Sequence, residues 1–236
     1  MVDLIRAGWK EEGWLRMQLW SAALGLWLGF SALLRPSEVL NLKVSDISFS
    51  NLRGRTGMDP GVVVVVRNPK TRRIWHRQFV LCRDERLEDW LKWWVAGLSR
   101  SRPLFPLTRY VWAKHFGHCL ERLHLTNCHF TLGSLRAGGA TSHFRKFGNL
   151  GELQFHGRWS SQATLQFYLQ EAFSTHVESS FSNACLEKLD MLHRFIHVLG
   201  STPTQSHRVL AGFSESHEGR RRQSFRQGWN LKSDES

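Results

Sequence analysis

Apolar positions divide the chain into helical and extended stretches. From about residue 7 to 34, Trp9, Trp14, Leu15, Leu19, Ala22, Leu26 and Phe30 recur near helical spacing, which predicts one helix. Gln18 to Leu34 carries no charge, so a membrane span is weighed against a buried core helix. The stretch is 17 residues long and is broken by Ser21, Gly25, Gly29 and Ser31. A span needs roughly 20 apolar residues, so the core helix is the better reading. Pro36 and Ser37, followed by Glu38, suit the start of a new helical turn. Val44 to Phe49 alternates weakly, as a short strand does. Gly61 to Arg67 contains five consecutive valines, a strong β signal. Asn68-Pro69-Lys70-Thr71 is turn chemistry, and Ile74 to Leu81 reads as the returning strand. The expected hairpin carries Lys70, Arg72 and Arg73 at its turn.

Beyond the hairpin the pattern returns to helical spacing. Asp84 to Leu98 places Leu87, Trp90, Leu91 and Trp94 on one side. Helices are also expected over about 107–124, 134–147 and 150–156, with Gly148 separating the last two. Ser160 or Ser161 can cap a helix running to about Ala172, which would carry Tyr168. Phe181 to Leu199 predicts a last helix, and Gly200 onward reads as a polar, disordered tail. The fold class is α+β, mainly helical, with a small antiparallel sheet. Most of the eleven tryptophans are expected in the core.

Charge changes the picture. The 236 residues hold 32 Lys+Arg against 20 Asp+Glu, a net of +12, and residues 1–175 carry nearly all of that surplus. A basic globular segment suits a polyanion, nucleic acid above all, although charge alone also fits a basic protein with no such partner. Cys82, Cys119, Cys128 and Cys185 form no CxxC pair and read as reduced thiols in an intracellular protein. His115, His118, Cys119, His124, Cys128 and His129 match no closed four-ligand zinc spacing, so no metal is expected. Arg220-Arg221-Arg222 is a low-specificity basic run. Walker, GxSxG and HExxH motifs are absent, and no small-molecule cofactor is implied.

Three segments carry candidate chemistry: Leu34-Arg35-Pro36-Ser37-Glu38-Val39-Leu40, Ser134-Leu135-Arg136-Ala137-Gly138-Gly139-Ala140-Thr141, and Gly157-Arg158-Trp159 through Phe167-Tyr168. Phosphodiester transfer gathers negative charge on the non-bridging oxygens, and fixed donors stabilise it. Two arginine forks from separate elements can hold both oxygens. A tyrosine hydroxyl can attack phosphorus, and a lysine whose pKa is lowered by nearby cations can protonate the leaving oxygen. Each piece also has a plain structural reading. Arg35 and Glu38 form an ordinary helical i,i+3 pair, Lys70 is one of several basic residues near the hairpin, and Trp159 and Tyr168 could be core aromatics.

Taken together, these residues resemble the tyrosine recombinase (phage integrase) family. The Gly29 to Asp46 segment is similar to the family's first-arginine box. Lys70 is similar to its hairpin lysine, and Ser134 to Thr141 to its second-arginine box. Trp159 stands nine residues before Tyr168, the family's spacing, in the tryptophan form of the Cre branch. The sequence departs from the pattern three residues before Arg136, where Gly133 stands in place of the usual histidine or lysine. The resemblance covers about residues 15–172. It implies a recombinase-like catalytic domain over 1–175, a C-terminal helix over 176–200 and a tail over 201–236.

The resemblance implies DNA cleavage and rejoining through a covalent 3′-phosphotyrosine on Tyr168. Arg35, Arg136 and Trp159 would hold the phosphate, and Lys70 would act as general acid. Glu38 would orient Arg35, and His156 is a further local donor. Arg67, Arg72, Arg73 and Arg158 are expected on DNA. The implied partner is double-stranded DNA, with the chain as part of a homo-oligomer, a tetramer on paired sites. The family's N-terminal clamp is expected to be missing. The location expected is intracellular: the nucleus in a eukaryote, otherwise the cytoplasm. Two alternatives stay open: a catalytically silent DNA-binding module with the same fold, and an activity like that of type IB topoisomerases.

Overall fold

The structure, a computed structural model, describes residues 2–49, 61–69 and 78–198. Lys70, Arg72, Arg73 and the tail from Gly200 onward lie outside the described residues. The helices are α1 (Val2–Lys10), α2 (Gly13–Ser31), α3 (Pro36–Leu40), α4 (Glu85–Val95), α5 (Arg109–Arg122) and α6 (Ser134–Phe147). They continue with α7 (Leu150–Gly157), α8 (Gln162–Gln166), α9 (Glu171–Ser179) and α10 (Asn183–Val198). Three strands, β1 (Ile47–Phe49), β2 (Val62–Val66) and β3 (Gln78–Cys82), form one antiparallel sheet in the order β1-β2-β3. The fold is therefore mainly helical with a small sheet, as the periodicity predicts.

The valine run is a strand with two different faces. Ile47, Val64 and Val80 are in register across the sheet, and all three are buried. Val62, Val66 and Cys82 join them on the core face, while Phe79 and Leu81 of β3 point outward and are exposed. α2 is buried along most of its length and forms the centre of the molecule, packing on α1, α4, α5 and α6. Trp93 of α4 meets Trp20 of α2 and Trp90 edge-on, with centroids 5.1 and 5.7 Å apart. Leu87, Trp90, Leu91 and Trp94 are all buried, as their spacing predicts. Among the described residues, no helix is long and apolar enough to cross a membrane.

Two expected helices are divided. The stretch from residue 7 to 34 breaks between α1 and α2, where Glu12 is extended and Gly13 has φ +56°. Arg16 braces the break by donating to the Gly8 carbonyl at 3.1 Å and to that of Glu11. The stretch from 160 to 172 also breaks: Ser161 caps α8 by accepting the Thr164 N–H at 3.2 Å, but α8 ends at Gln166. Tyr168 therefore sits on the turn between α8 and α9 rather than on a helix. Val44–Asp46 makes a single 3-10 turn, which shortens the first strand to Ile47–Phe49.

α6 approaches α2 closely because Gly139 has no side chain. A Cβ there would lie 2.3 Å from the Phe30 carbonyl oxygen. This close approach brings Arg136, one turn earlier on α6, to the C-terminal end of α2.

Candidate active site

Two helix ends of unusual conformation frame the site. At the end of α2, Leu34 N–H donates to the Gly29 carbonyl at 3.0 Å and Leu33 N–H to that of Phe30 at 3.4 Å. At the end of α7, Trp159 N–H donates to Gln154 at 3.0 Å and Arg158 N–H to Phe155 at 3.1 Å. Both are Schellman-type endings, which place one residue in the left-handed region, usually glycine. Here those residues are Leu33 at φ +50° and Arg158 at φ +60°. A side chain in that region costs about 1–2 kcal/mol. What each turn gains is the direction of its polar groups.

The Leu33 carbonyl accepts from Arg136 Nη1 and, at 3.4 Å, from Arg158 Nη2. The Gly157 carbonyl accepts from Arg136 Nη2 at 2.5 Å. Arg136 is only 2% exposed, held between the ends of α2 and α7. Its guanidinium lies 4.5 Å from the Trp159 ring centroid and 5.6 Å from that of Tyr168. The two aromatic rings are 5.1 Å apart and tilted by 53°. Trp159 fits because residue 157 is glycine: a Cβ there would lie 1.6 Å from the indole. Leu33, Ala140, Leu153 and Leu165 complete the apolar seat of the indole, and Tyr168 packs at its edge. Thr141 pins the Tyr168 turn, donating to the Tyr168 carbonyl at 3.4 Å and accepting the Gln170 N–H at 3.2 Å.

Glu38 joins the remaining arginines. Arg35 is the N-cap of α3, Pro36 follows it, and Glu38 reaches back to accept the Arg35 backbone N–H at 2.9 Å. Arg35 Nη1 donates to Glu38 Oε1 at 3.0 Å. Arg158 Nη2 donates to Glu38 Oε2 at 2.9 Å, with Nη1 3.4 Å from Oε1 and 3.1 Å from Gln78 Oε1 on β3. Burial pushes the Glu38 carboxyl up, but the hydrogen bond and charge of Arg158, together with Arg35, hold it below its ordinary value. Burial, then the charges of Arg35 and Arg158, lower Arg136 to about 10, and Glu38 and Tyr168 act in the opposite sense. Three guanidiniums around one carboxylate leave a net positive site.

Three donors in this cluster are uncommitted. Arg136 Nε, Arg158 Nε and Trp159 Nε1 are buried and have no hydrogen-bond partner among the described residues. Buried donors without acceptors are rare and costly, so three in one cluster point to an acceptor that arrives from outside.

Arg35 and Glu38 are in direct contact, as are Arg136, Trp159 and Tyr168, and Arg158 with the Leu33 carbonyl joins the two groups. Other expected residues lie elsewhere. His156 Nε2 is 3.2 Å from the Ser31 carbonyl, and its ring stacks on His143 at 5.3 Å. Burial lowers its pKa, the Ser31 hydrogen bond opposes this, and His143 and Arg158 lower it further. Arg67 pairs with Asp46 at the end of β2. Arg158, expected on a DNA-facing surface, has a side chain only 7% exposed and turned inward to Glu38. Gly133 caps α6 at an exposed position, with its N–H donating to Thr131 Oγ1 at 3.2 Å. Sequence reasoning missed the Leu33 carbonyl and Gln78. Neither carries a local signal, because each acts through partners far away in the chain. Among the described residues, no group of three or more His, Cys, Asp or Glu is placed to hold a metal ion.

No family model matches the sequence, and no curated protein matches it. Similar solved structures include the XerH site-specific recombinase bound to its difH substrate in a pre-cleavage complex. That match has a TM-score of 0.54 and 17% identity, and covers 74% of this chain and 50% of that one. A post-cleavage complex of XerH on a palindromic difH substrate matches with a TM-score of 0.53 and 18% identity, covering 71% of this chain and 47% of that one. The chain spans about half the length of those recombinases. At such identities the likeness speaks for the fold, and the fold is that of the tyrosine recombinase catalytic domain.

Proposed function

We propose that the chain cleaves and rejoins DNA strands, with Tyr168 as nucleophile. The observation that carries this reading is the buried Arg136 guanidinium against both Trp159 and Tyr168, with three N–H donors of the cluster lacking acceptors among the described residues. A phosphodiester supplies the acceptors such a cluster lacks. Arg35 and Arg136 bind the non-bridging oxygens, and Trp159 donates through its indole N–H. The Tyr168 oxygen attacks phosphorus, the phenol proton leaves to solvent, and the bond to the 5′ oxygen breaks as that oxygen takes a proton. Lys70 is the proposed donor of that proton. The product is a 3′-phosphotyrosine, and the reverse attack by a 5′ hydroxyl rejoins the strand. The net positive charge of the chain and the DNA-bound state of the similar XerH structures support DNA as the polymer. Arg67, Arg72 and Arg73 are proposed to touch the DNA backbone, and oligomerisation on DNA belongs to the same reading.

The test is a pool of nicked suicide duplexes of randomised sequence incubated with the full chain. A covalent adduct that survives detergent and disappears in Tyr168→Phe is the expected result. An equal adduct with Tyr168→Phe would remove Tyr168 from its role. Gly133 favours a second reading, since it offers no side chain where a phosphate-binding histidine or lysine is usual in the family. A silent module of this kind would bind duplex DNA in a salt-sensitive way and form no adduct.

A further inference from the structure

We infer that Arg158 is a positioning residue that holds Glu38 in a two-pronged grip and thereby leaves Arg35 available to a phosphate. This rests on the phosphodiester reading of the same site. Glu38 accepts from two arginines, but unequally. Arg158 spans both carboxylate oxygens, at 2.9 and 3.4 Å, whereas the Arg35 side chain uses a single nitrogen at 3.0 Å. A planar fork on both oxygens is the stronger and more directional of the two arrangements. Exposure follows the same order: the Arg158 side chain is 7% exposed and that of Arg35 is 26%. The carboxylate is therefore committed inward, and the remaining Arg35 donors, which have no partner among the described residues, can face a ligand. Without Arg158, Glu38 would neutralise Arg35 alone, and the cluster would lose one of its three positive charges.

The backbone shows how this is built. Arg158 sits at φ +60°, which turns its side chain back across α7 toward a carboxylate 120 residues away in the chain. Its other contacts, the Leu33 carbonyl and Gln78 Oε1, tie the end of α2 and the start of β3 to the same point. Through Gln78, Arg158 thus joins the first residue of β3 to the same cluster.

Arg158→Gly provides a clean test because glycine adopts φ +60° without strain, so the backbone keeps its conformation while the guanidinium is removed. The charges facing Glu38 are Arg35 of α3, Arg136 of α6 and Arg158 itself. Removing Arg158 leaves burial to dominate, so the Glu38 pKa in the folded protein rises. In suicide-duplex assays on the full chain, Arg158→Gly is expected to slow adduct formation on the order of a hundredfold through misplacement of Arg35. The acid limb of the rate should also move to higher pH. Arg158→Lys keeps the charge but loses the fork, so the acid limb should stay near the wild-type position while only part of the rate returns. Carboxyl carbon NMR without DNA reads the Glu38 midpoint directly, and it should rise in Arg158→Gly. An unchanged midpoint, or a wild-type rate with an unchanged acid limb, would overturn the inference. A wild-type protein that forms no adduct would instead overturn the cleavage reading, and the NMR midpoint alone would then decide the role of Arg158.

Discussion

The large core around α2 and the small cluster around Trp159 use the same residue types to opposite ends. In the large core, Trp20 donates to the Ile5 carbonyl at 3.2 Å, Trp94 to Leu104 at 2.8 Å and Trp112 to Ala22 at 3.1 Å. Trp93 is an exception there, with a buried indole N–H that has no acceptor among the described residues. In the small cluster, Trp159 Nε1 and the Nε groups of Arg136 and Arg158 all lack acceptors among the described residues. Among the described residues, four non-glycine residues have positive φ, and two of them, Leu33 and Arg158, frame that cluster. The core pairs the indole N–H groups of Trp20, Trp94 and Trp112, although Trp93 Nε1 and Ser21 Oγ there have no partner among the described residues. The cluster holds donors ready and tolerates strain, which is the pattern of a site built to receive something.

The largest expected break in this contrast is Arg136→Ala. It leaves the Leu33 and Gly157 carbonyls without their donor and Trp159 without its stacked cation. The cost in stability should be about 3 kcal/mol, read by urea unfolding. Adduct formation should fall on the order of a thousandfold, since one fixed donor at the developing charge is lost. Arg136→Lys should recover part of the stability and little of the rate, because a lysine cannot bridge two carbonyls and a phosphate at once. Adduct formation at the wild-type rate in Arg136→Ala would reduce the cluster to a structural feature.

Next in size is Gly157→Ala. Its Cβ would fall within the Trp159 ring, so the indole must move. Overpacking of this kind costs about 1–3 kcal/mol. The useful readout is the split between binding and rate: duplex affinity should hold while adduct formation drops at least tenfold, because Trp159 packs against both Arg136 and Tyr168. Equal losses of both would place the indole in DNA binding rather than in the reacting centre.

How much of this was legible in the sequence follows from how local each feature is. The bounds of α6 and the buried face of α4 came directly from period and caps, since neighbouring residues decide them. The order Arg35, Arg136, Trp159, Tyr168 was readable because spacing along one chain survives folding. The break between α8 and α9 was missed. Residues 160–172 have helical composition, and the Thr141 contacts that pin the turn come from another helix. Sequence places Arg158 among the residues expected on DNA, and nothing near it in sequence announces its pairing with Glu38. Its direction depends on a left-handed residue and a partner 120 positions away.

A smaller effect concerns pH. The Glu38 carboxyl is held below its ordinary value in the folded protein, so its pairing stabilises the fold above the ordinary carboxylate range. That contribution is lost as pH falls through the lowered value. Glu38→Gln should therefore reduce Tm near neutral pH but leave it almost unchanged in strong acid, and the two melting curves should converge as pH drops. Parallel curves would show that another group supplies the acid sensitivity.

The smallest effect belongs to the other side of the comparison. Trp112 is buried in the large core, and its indole donates to the Ala22 carbonyl of α2 at 3.1 Å. Trp112→Phe removes that donor and part of the ring, so the Ala22 carbonyl loses a partner in a dry environment. The expected cost is about 1–2 kcal/mol. Adduct formation measured well below the melting temperature should stay at the wild-type rate, because Trp112 packs in the large core, whereas Trp159 and Tyr168 pack in the small cluster. The same kind of change at Trp159, Trp159→Phe, removes a donor that has no acceptor among the described residues, so it should cost less stability and more rate. If Trp112→Phe slowed cleavage as much as Trp159→Phe does, the division of labour between the two clusters would fail, and the indoles would have to be treated as one connected core.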